Sequence, residues 1–165
     1  MGEGVMAKAA VLFVCLGNIC RSPLAEGAFR AEAERCGLDV VVDSAGTGGW
    51  HKGEPPDPRA IAVARRHGVD IGGLRARQVK PDDFRVFTHI YALDHDNLSG
   101  LRRIAPADAA AEVDLLMNLV AGRQGRAVAD PYYGDEAGFD VTWNEVRTAS
   151  RALATRLVEE GWAKL

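Results

Sequence analysis

Apolar residues recur along this chain in two rhythms. Short unbroken runs alternate with stretches in which apolar positions return every three or four residues. Ala9 to Val14 is the first run; it ends at a loop, and its shortness and lack of alternation predict a buried strand. Pro23 to Arg35 then reads as a helix, with Leu24, Ala28, Ala31 and Arg35 at helical spacing. Pro23 suits the first helical position, where a missing N–H is not felt, and Gly37 suits the C-cap.

The alternation continues. Asp39 to Ala45 predicts a second strand, and the segment GTGGWHKGEPPDP after it a loop. Pro58 to His67 predicts a helix ended by Gly68, Val86 to Leu93 a strand, and Asp94 to Ile104 a helix ended by Pro106. Val113 to Met117 predicts a short strand, VADPYYGDEAG a loop, and Phe139 to Gly161 a long last helix with Phe139, Val146, Leu153 and Leu157 on its apolar side. Strands that alternate with helices predict an α/β fold, a parallel sheet covered on both faces.

Composition narrows the function. The 165 residues suffice for one domain with a sizeable core, taken here as 1–165 with residues 1–8 frayed. A net charge of −3 provides no basic field for nucleic acid or anionic membrane, so any anion site must be local. Three cysteines, Cys15, Cys20 and Cys36, make no disulfide framework, and the four histidines are scattered, so neither a metal nor a cofactor is expected. No secretory leader or membrane-length run is seen, and MGEGVM fails as a myristoylation signal because Met6 stands where Ser or Thr is needed. The chain reads as cytoplasmic, although export without a signal peptide fits the same composition.

The candidate chemistry is concentrated in VCLGNICRSPLAEG, residues 14–27. A strand, a tight loop and a helix N-terminus together form an anion cup, because loop amides and the positive end of the helix dipole converge. Cys15 leaves the strand at the floor of that cup, where the same field favours the thiolate. Arg21 carries a planar fork that matches two oxygens of a tetrahedral oxyanion. Leu16, Gly17, Asn18, Ile19, Cys20, Arg21 and Ser22 complete the predicted phosphate-binding loop. Gly17 permits the tight turn, Asn18 tolerates left-handed φ, and Ser22 is placed to donate to the sulfur. A C-x5-R spacing alone is weak; the preceding strand and following Ser-Pro and helix make it a candidate for phosphoryl transfer to sulfur.

The loop closely resembles that of the low-molecular-weight protein tyrosine phosphatases. The resemblance extends in order through DSAGTGGWHKGEPPDPRA, RARQ and DPYYGD, so it covers nearly the whole chain. It implies a four-stranded parallel twisted sheet flanked by helices, flavodoxin-like, and hydrolysis of phosphotyrosine in proteins through a phospho-cysteine. It further implies Asp130 as general acid and then base, with Asp135 the lesser candidate. Trp50, Tyr132 and Tyr133 become walls for an aromatic ring, and Cys20 a reversible disulfide partner of Cys15. A phosphotyrosine protein or peptide would be the partner of a monomer able to self-associate weakly. Leu74 stands where the family usually has a histidine that holds the loop asparagine, so Asn18 must be supported from elsewhere, with Ser44 a candidate. LDHDN departs from the family's Asp-x-Ser-Asn at Asp96, and no catalytic role is carried to that segment.

Other readings are less well supported. Arsenate reductase needs cysteines to pass on a disulfide, and Cys36 is a poor relay. Protein arginine phosphatases tend to have threonine where Ile19 stands. A binding module without turnover is disfavoured by Cys15, Arg21 and Asp130 occurring together.

Overall fold

The computed structural model describes residues 8–162. The expectation of a frayed N-terminus therefore falls, apart from Lys8, outside the described residues. Lys8 pairs with Asp39 at 3.2 Å, an exposed contact of about 0–1 kcal/mol.

Four strands form one parallel sheet in the order β2-β1-β3-β4: β1 (Ala10–Cys15), β2 (Val41–Gly46), β3 (His89–Ala92) and β4 (Glu112–Leu115). Every residue of β1 is buried, as its central place requires. Successive side chains of a strand point to opposite faces, and β1 divides accordingly. Val11, Phe13 and Cys15 join one apolar cluster; Ala10, Leu12 and Val14 join the other. The first cluster draws on α1 (Arg21–Cys36), α2 (Pro58–Arg66) and α5 (Glu136–Glu159); the second on α4 (His95–Ile104) and the short α3 (Asp83–Val86). The predicted two-faced α/β architecture is the one observed.

Some local expectations change. α1 begins at Arg21, so Pro23 is the third helical residue rather than the first; its N–H would still lack an intrahelical acceptor there. Gly37 does form the left-handed C-cap, with φ 71°. Ala31 is exposed, because the buried stripe of α1 runs through Leu24, Ala25, Ala28 and Phe29. The strand expected from Val86 starts at His89. Val86 instead ends a helical turn, stabilised where the Asp83 carboxylate accepts from the Lys80 N–H at 2.9 Å. The strand expected through Met117 stops at Leu115, and a 3-10 turn takes Leu116–Leu119. In α5, Phe139, Val146, Leu153 and Leu157 are all buried as expected.

Strand order 2-1-3-4 places the reversal of connection between β1 and β3. Open α/β sheets bind ligands at such a switch point, beyond the strands' C-terminal ends. The loop after Cys15 lies there.

Candidate active site

The loop from Cys15 to Arg21 is held from outside by its carbonyls. Thr47 N–H donates to the Cys15 carbonyl (2.9 Å), Gly48 N–H to that of Leu16 (2.9 Å), Asp57 N–H to that of Ile19 (2.8 Å) and Leu24 N–H to that of Cys20 (3.2 Å). Across a trans peptide the C=O and the following N–H point in opposite directions, and the described chain has no cis bonds. The N–H groups of Leu16, Gly17, Cys20 and Arg21 therefore turn the other way, into the cup. Gly46 makes this close wrapping possible: a Cβ there would lie 2.7 Å from the Leu16 carbonyl oxygen.

Asn18 is the one non-glycine residue with positive φ among those described, at 58°. Left-handed backbone costs about 1–2 kcal/mol, and three side-chain hydrogen bonds offset it. Its Nδ2 donates to Ser22 Oγ (2.7 Å) and Ser44 Oγ (3.0 Å), and its Oδ1 accepts from Arg77 N–H (3.0 Å). Ser22 Oγ in turn lies 3.0 Å from Cys15 Sγ. Ser44 thus supports the loop asparagine, as the sequence suggested. Its own hydroxyl donates to Glu26 Oε1 at 2.7 Å. Leu74 packs against the apolar cluster.

Glu26 is buried, and burial is the main reason that its carboxyl sits above the ordinary value of 4.5. The folded chain therefore holds this proton more tightly than the unfolded chain does. Its stabilising contribution is full below 4.5 and fades as pH rises through the raised folded value. Glu26→Gln removes that titration while retaining an acceptor for Ser44. Its melting temperature, relative to the parent, is expected to climb as pH rises above 4.5. A pH-independent difference would contradict this.

Arg21 is almost fully buried, and its guanidinium is anchored on one side. It lies 2.8 Å from Asp94 Oδ2, 3.1 Å from the Val128 carbonyl oxygen and 3.6 Å from Asp130 Oδ2. Asp94 and the Val128 carbonyl both meet Nη1 and so hold that end of the fork. The segment given no role thus contributes a site residue. The signal available for Asp94 was its place just past a buried strand, where open sheets gather ligand groups. Its visible duty, capping α4 by accepting from Asn97 N–H at 2.7 Å, explains it equally well.

A cleft of about 190 Å³ opens over the loop. Cys15, Leu16, Gly17, Ile19, Cys20 and Arg21 form its floor, and Trp50, Asp130, Tyr132 and Tyr133 its sides. Asn18 and Ser22 lie behind it and hold it. The rings of Tyr132 and Tyr133 meet edge to face, 4.9 Å between centroids. Tyr133 is 95% and Trp50 72% exposed, so both present apolar surface to an incoming group rather than to the core. Asp130 is half exposed, and its Oδ1 accepts from Tyr132 N–H at 3.1 Å. Asp135 caps α5, with the Gly138 N–H 3.3 Å from its Oδ1, and is not among the cleft residues. His51 also lines the cleft, its Nδ1 3.1 Å from Glu54 Oε1, although the sequence singled out no histidine. Gly17 matters as clearance for this ring: a Cβ there would lie 2.9 Å from His51 Cδ2.

Cys20 shares the cleft, and burial, followed by the nearby Asp57, Cys15 and Asp130, pushes its thiol pKa up. The structure also assembles a potential metal-ligand group that the sequence did not show. His89, Glu112 and Glu160 meet at the start of β3, at the other end of the sheet from the cleft. Arg156 pairs with both carboxylates, at 3.2 Å and 3.0 Å, so an arginine already neutralises them.

Comparison with known proteins agrees with this geometry. The family model described as low molecular weight phosphotyrosine protein phosphatase matches residues 10–163. A low molecular weight protein-tyrosine-phosphatase of Streptomyces coelicolor is 46% identical over 156 residues, covering 91% of this chain and 94% of the relative. A low molecular weight phosphotyrosine protein phosphatase of Schizosaccharomyces pombe is 45% identical over 132 residues, covering 78% and 84%. The crystal structure of a protein tyrosine phosphatase from Entamoeba histolytica superposes with a TM-score of 0.87 at 33% identity, covering 93% of this chain and 99% of that one. Loop, sheet and extent of match together show that this chain belongs to the low molecular weight phosphotyrosine protein phosphatase family.

Proposed function

We propose the following residue roles for the family's reaction, hydrolysis of phosphotyrosine in proteins by a cysteine-based mechanism. Cys15 Sγ attacks phosphorus, and an S–P bond forms as the P–O bond to the tyrosine breaks. Asp130, as the carboxylic acid, gives its proton to the departing phenolate oxygen. Arg21 and the inward N–H groups hold the phosphoryl oxygens through the transition state, where charge spreads over them. Water then attacks phosphorus, Asp130 takes its proton, and the sulfur leaves as a thiolate stabilised by the Ser22 hydroxyl.

The observation that carries this reading is one cleft in which the Cys15 floor, the Arg21 fork and the Asp130 carboxylate converge, with Arg21 3.6 Å from Asp130. Trp50, Tyr132 and Tyr133 supply walls suited to a flat ring, and Ile19 adds apolar floor. Cys20 is the reversible disulfide partner of Cys15, supported by their common cleft. One catalytic domain accounts for all the described residues, and the protein acts as a monomer with weak self-association through the exposed tyrosines. Three free cysteines suit a reducing cytoplasm. Among the described residues, no helix is long and apolar enough to cross a membrane.

A matched panel of phosphotyrosine, phosphoserine and phosphoarginine peptides tests the assignment. Phosphotyrosine is expected to give the highest kcat/KM, by about 100-fold over phosphoserine. Equal rates on phosphoserine would remove the ring-binding role of the walls, and a preference for phosphoarginine would replace the substrate class.

A further inference from the structure

Arg59 is not among the residues lining the cleft, yet its side chain makes four hydrogen bonds that converge on the cleft's construction. Its Nε and Nη2 donate to the two carboxylate oxygens of Asp57, at 3.0 Å and 2.9 Å. Nη2 also donates to the Tyr132 carbonyl at 3.0 Å, and Nη1 to the Gly134 carbonyl at 3.1 Å. The guanidinium further stands over two rings, 5.9 Å from the centroid of Tyr132 and 4.7 Å from that of Phe139. One planar group therefore binds the loop that carries Asp130 at two carbonyls.

The other end of the connection is Asp57. Its main-chain N–H donates to the Ile19 carbonyl of the phosphate-binding loop at 2.8 Å, and its carboxylate caps α2 by accepting from Arg59 N–H at 2.8 Å. The Arg59 hydrogen bonds hold the Asp57 carboxyl below the usual carboxylate range, so the pair stays ionised across the working pH. The path from nucleophile loop to acid loop is short and made of specific bonds: Ile19 carbonyl, Asp57, Arg59, then the Tyr132 and Gly134 carbonyls.

We propose that Arg59 is a positioning residue that sets the reach of Asp130 to the leaving oxygen by bolting the Asp130 loop to the phosphate-binding loop. This rests on the assignment of Asp130 as the acid. Lysine cannot replace it, because an ammonium is a point charge on a flexible stem and cannot serve a carboxylate and two carbonyls in one plane. A displacement of about 1 Å at a reacting group can cost about 100-fold in rate. Proton transfer to a poor leaving group is the step most exposed to that error.

The test is kcat/KM for Arg59→Lys and Arg59→Gln over a series of aryl phosphates from 4-nitrophenyl to phenyl, in the parent and in an Asp130→Ala background. Inorganic phosphate inhibition serves as the check that the loop is intact. Arg59→Lys is expected to lose about tenfold or more on phenyl phosphate, clearly less on 4-nitrophenyl phosphate, and nothing further once Asp130 is gone. Equal losses across the series, or losses that persist undiminished in the Asp130→Ala background, would make Arg59 a merely structural residue and overturn the proposal. If Asp130→Ala alone is insensitive to the leaving group, the acid assignment itself has failed, and the proposal falls with it.

Discussion

Cys15→Ser is expected to lower kcat/KM for an aryl phosphate by about 100,000-fold while leaving phosphate inhibition unchanged or tighter. The size follows from removing the group that forms the covalent bond, which in a comparable covalent hydrolase costs about a millionfold. Serine fits the same position at the end of β1 and can still meet Ser22. Its hydroxyl, however, does not ionise near neutral pH, and the group nearest to that position, the Ser22 hydroxyl, is not a base. Phosphate affinity is expected to persist because the groups proposed to hold the oxygens, Arg21 and the loop N–H groups, are unchanged. The comparison requires steady-state rates and inhibition by inorganic phosphate. A variant with more than a small fraction of parental activity would mean that sulfur is not the nucleophile.

Asp130→Ala should follow with a loss of about 100- to 1,000-fold on phenyl phosphate, within the range general acid catalysis supplies, and a clearly smaller loss on 4-nitrophenyl phosphate. A nitrophenolate departs without help, whereas a phenolate needs the proton. Asp130 is suited to this because its carboxylate stands at the mouth of the cleft, half exposed, on a loop fixed by the Tyr132 N–H and by Arg59. The same carboxylate is assigned to activate water afterwards, so the second step should slow as well. A plot of log kcat/KM against leaving-group acidity should steepen in the variant; an unchanged slope would remove Asp130 from proton transfer.

The parts of the molecule readable from the sequence were those whose cause is local. The run Ala9 to Val14 and the returning apolar positions of Phe139 to Leu157 are set by which face each residue buries. The phosphate-binding loop was equally legible, since Cys15, Asn18, Arg21 and Ser22 are contiguous and each residue type has a local reason to be there. What escaped depends on partners far along the chain. Asp94 matters because Arg21 reaches it from another strand end, and Arg59 because Tyr132 and Gly134 lie beside it only after folding. Glu26 looked like any helical carboxylate until Ser44 placed it behind Asn18. The helical turn at Val86 was hidden in the same way. Its Asp83 is held by Arg77, whose main-chain N–H also supports Asn18. Support of the loop asparagine thus comes from Ser44, itself bonded to the buried Glu26, and from the Arg77 main-chain N–H.

The central claim is that phosphate passes through a bond to one particular sulfur. The slowed second step of Asp130→Ala allows this to be observed directly: turn the variant over on 4-nitrophenyl phosphate, quench in acid within the first turnovers and map the peptides by mass. The account predicts one added phosphoryl group, on the peptide carrying Cys15. Phosphate on another residue, or release of nitrophenol with no protein adduct at any time, would contradict it.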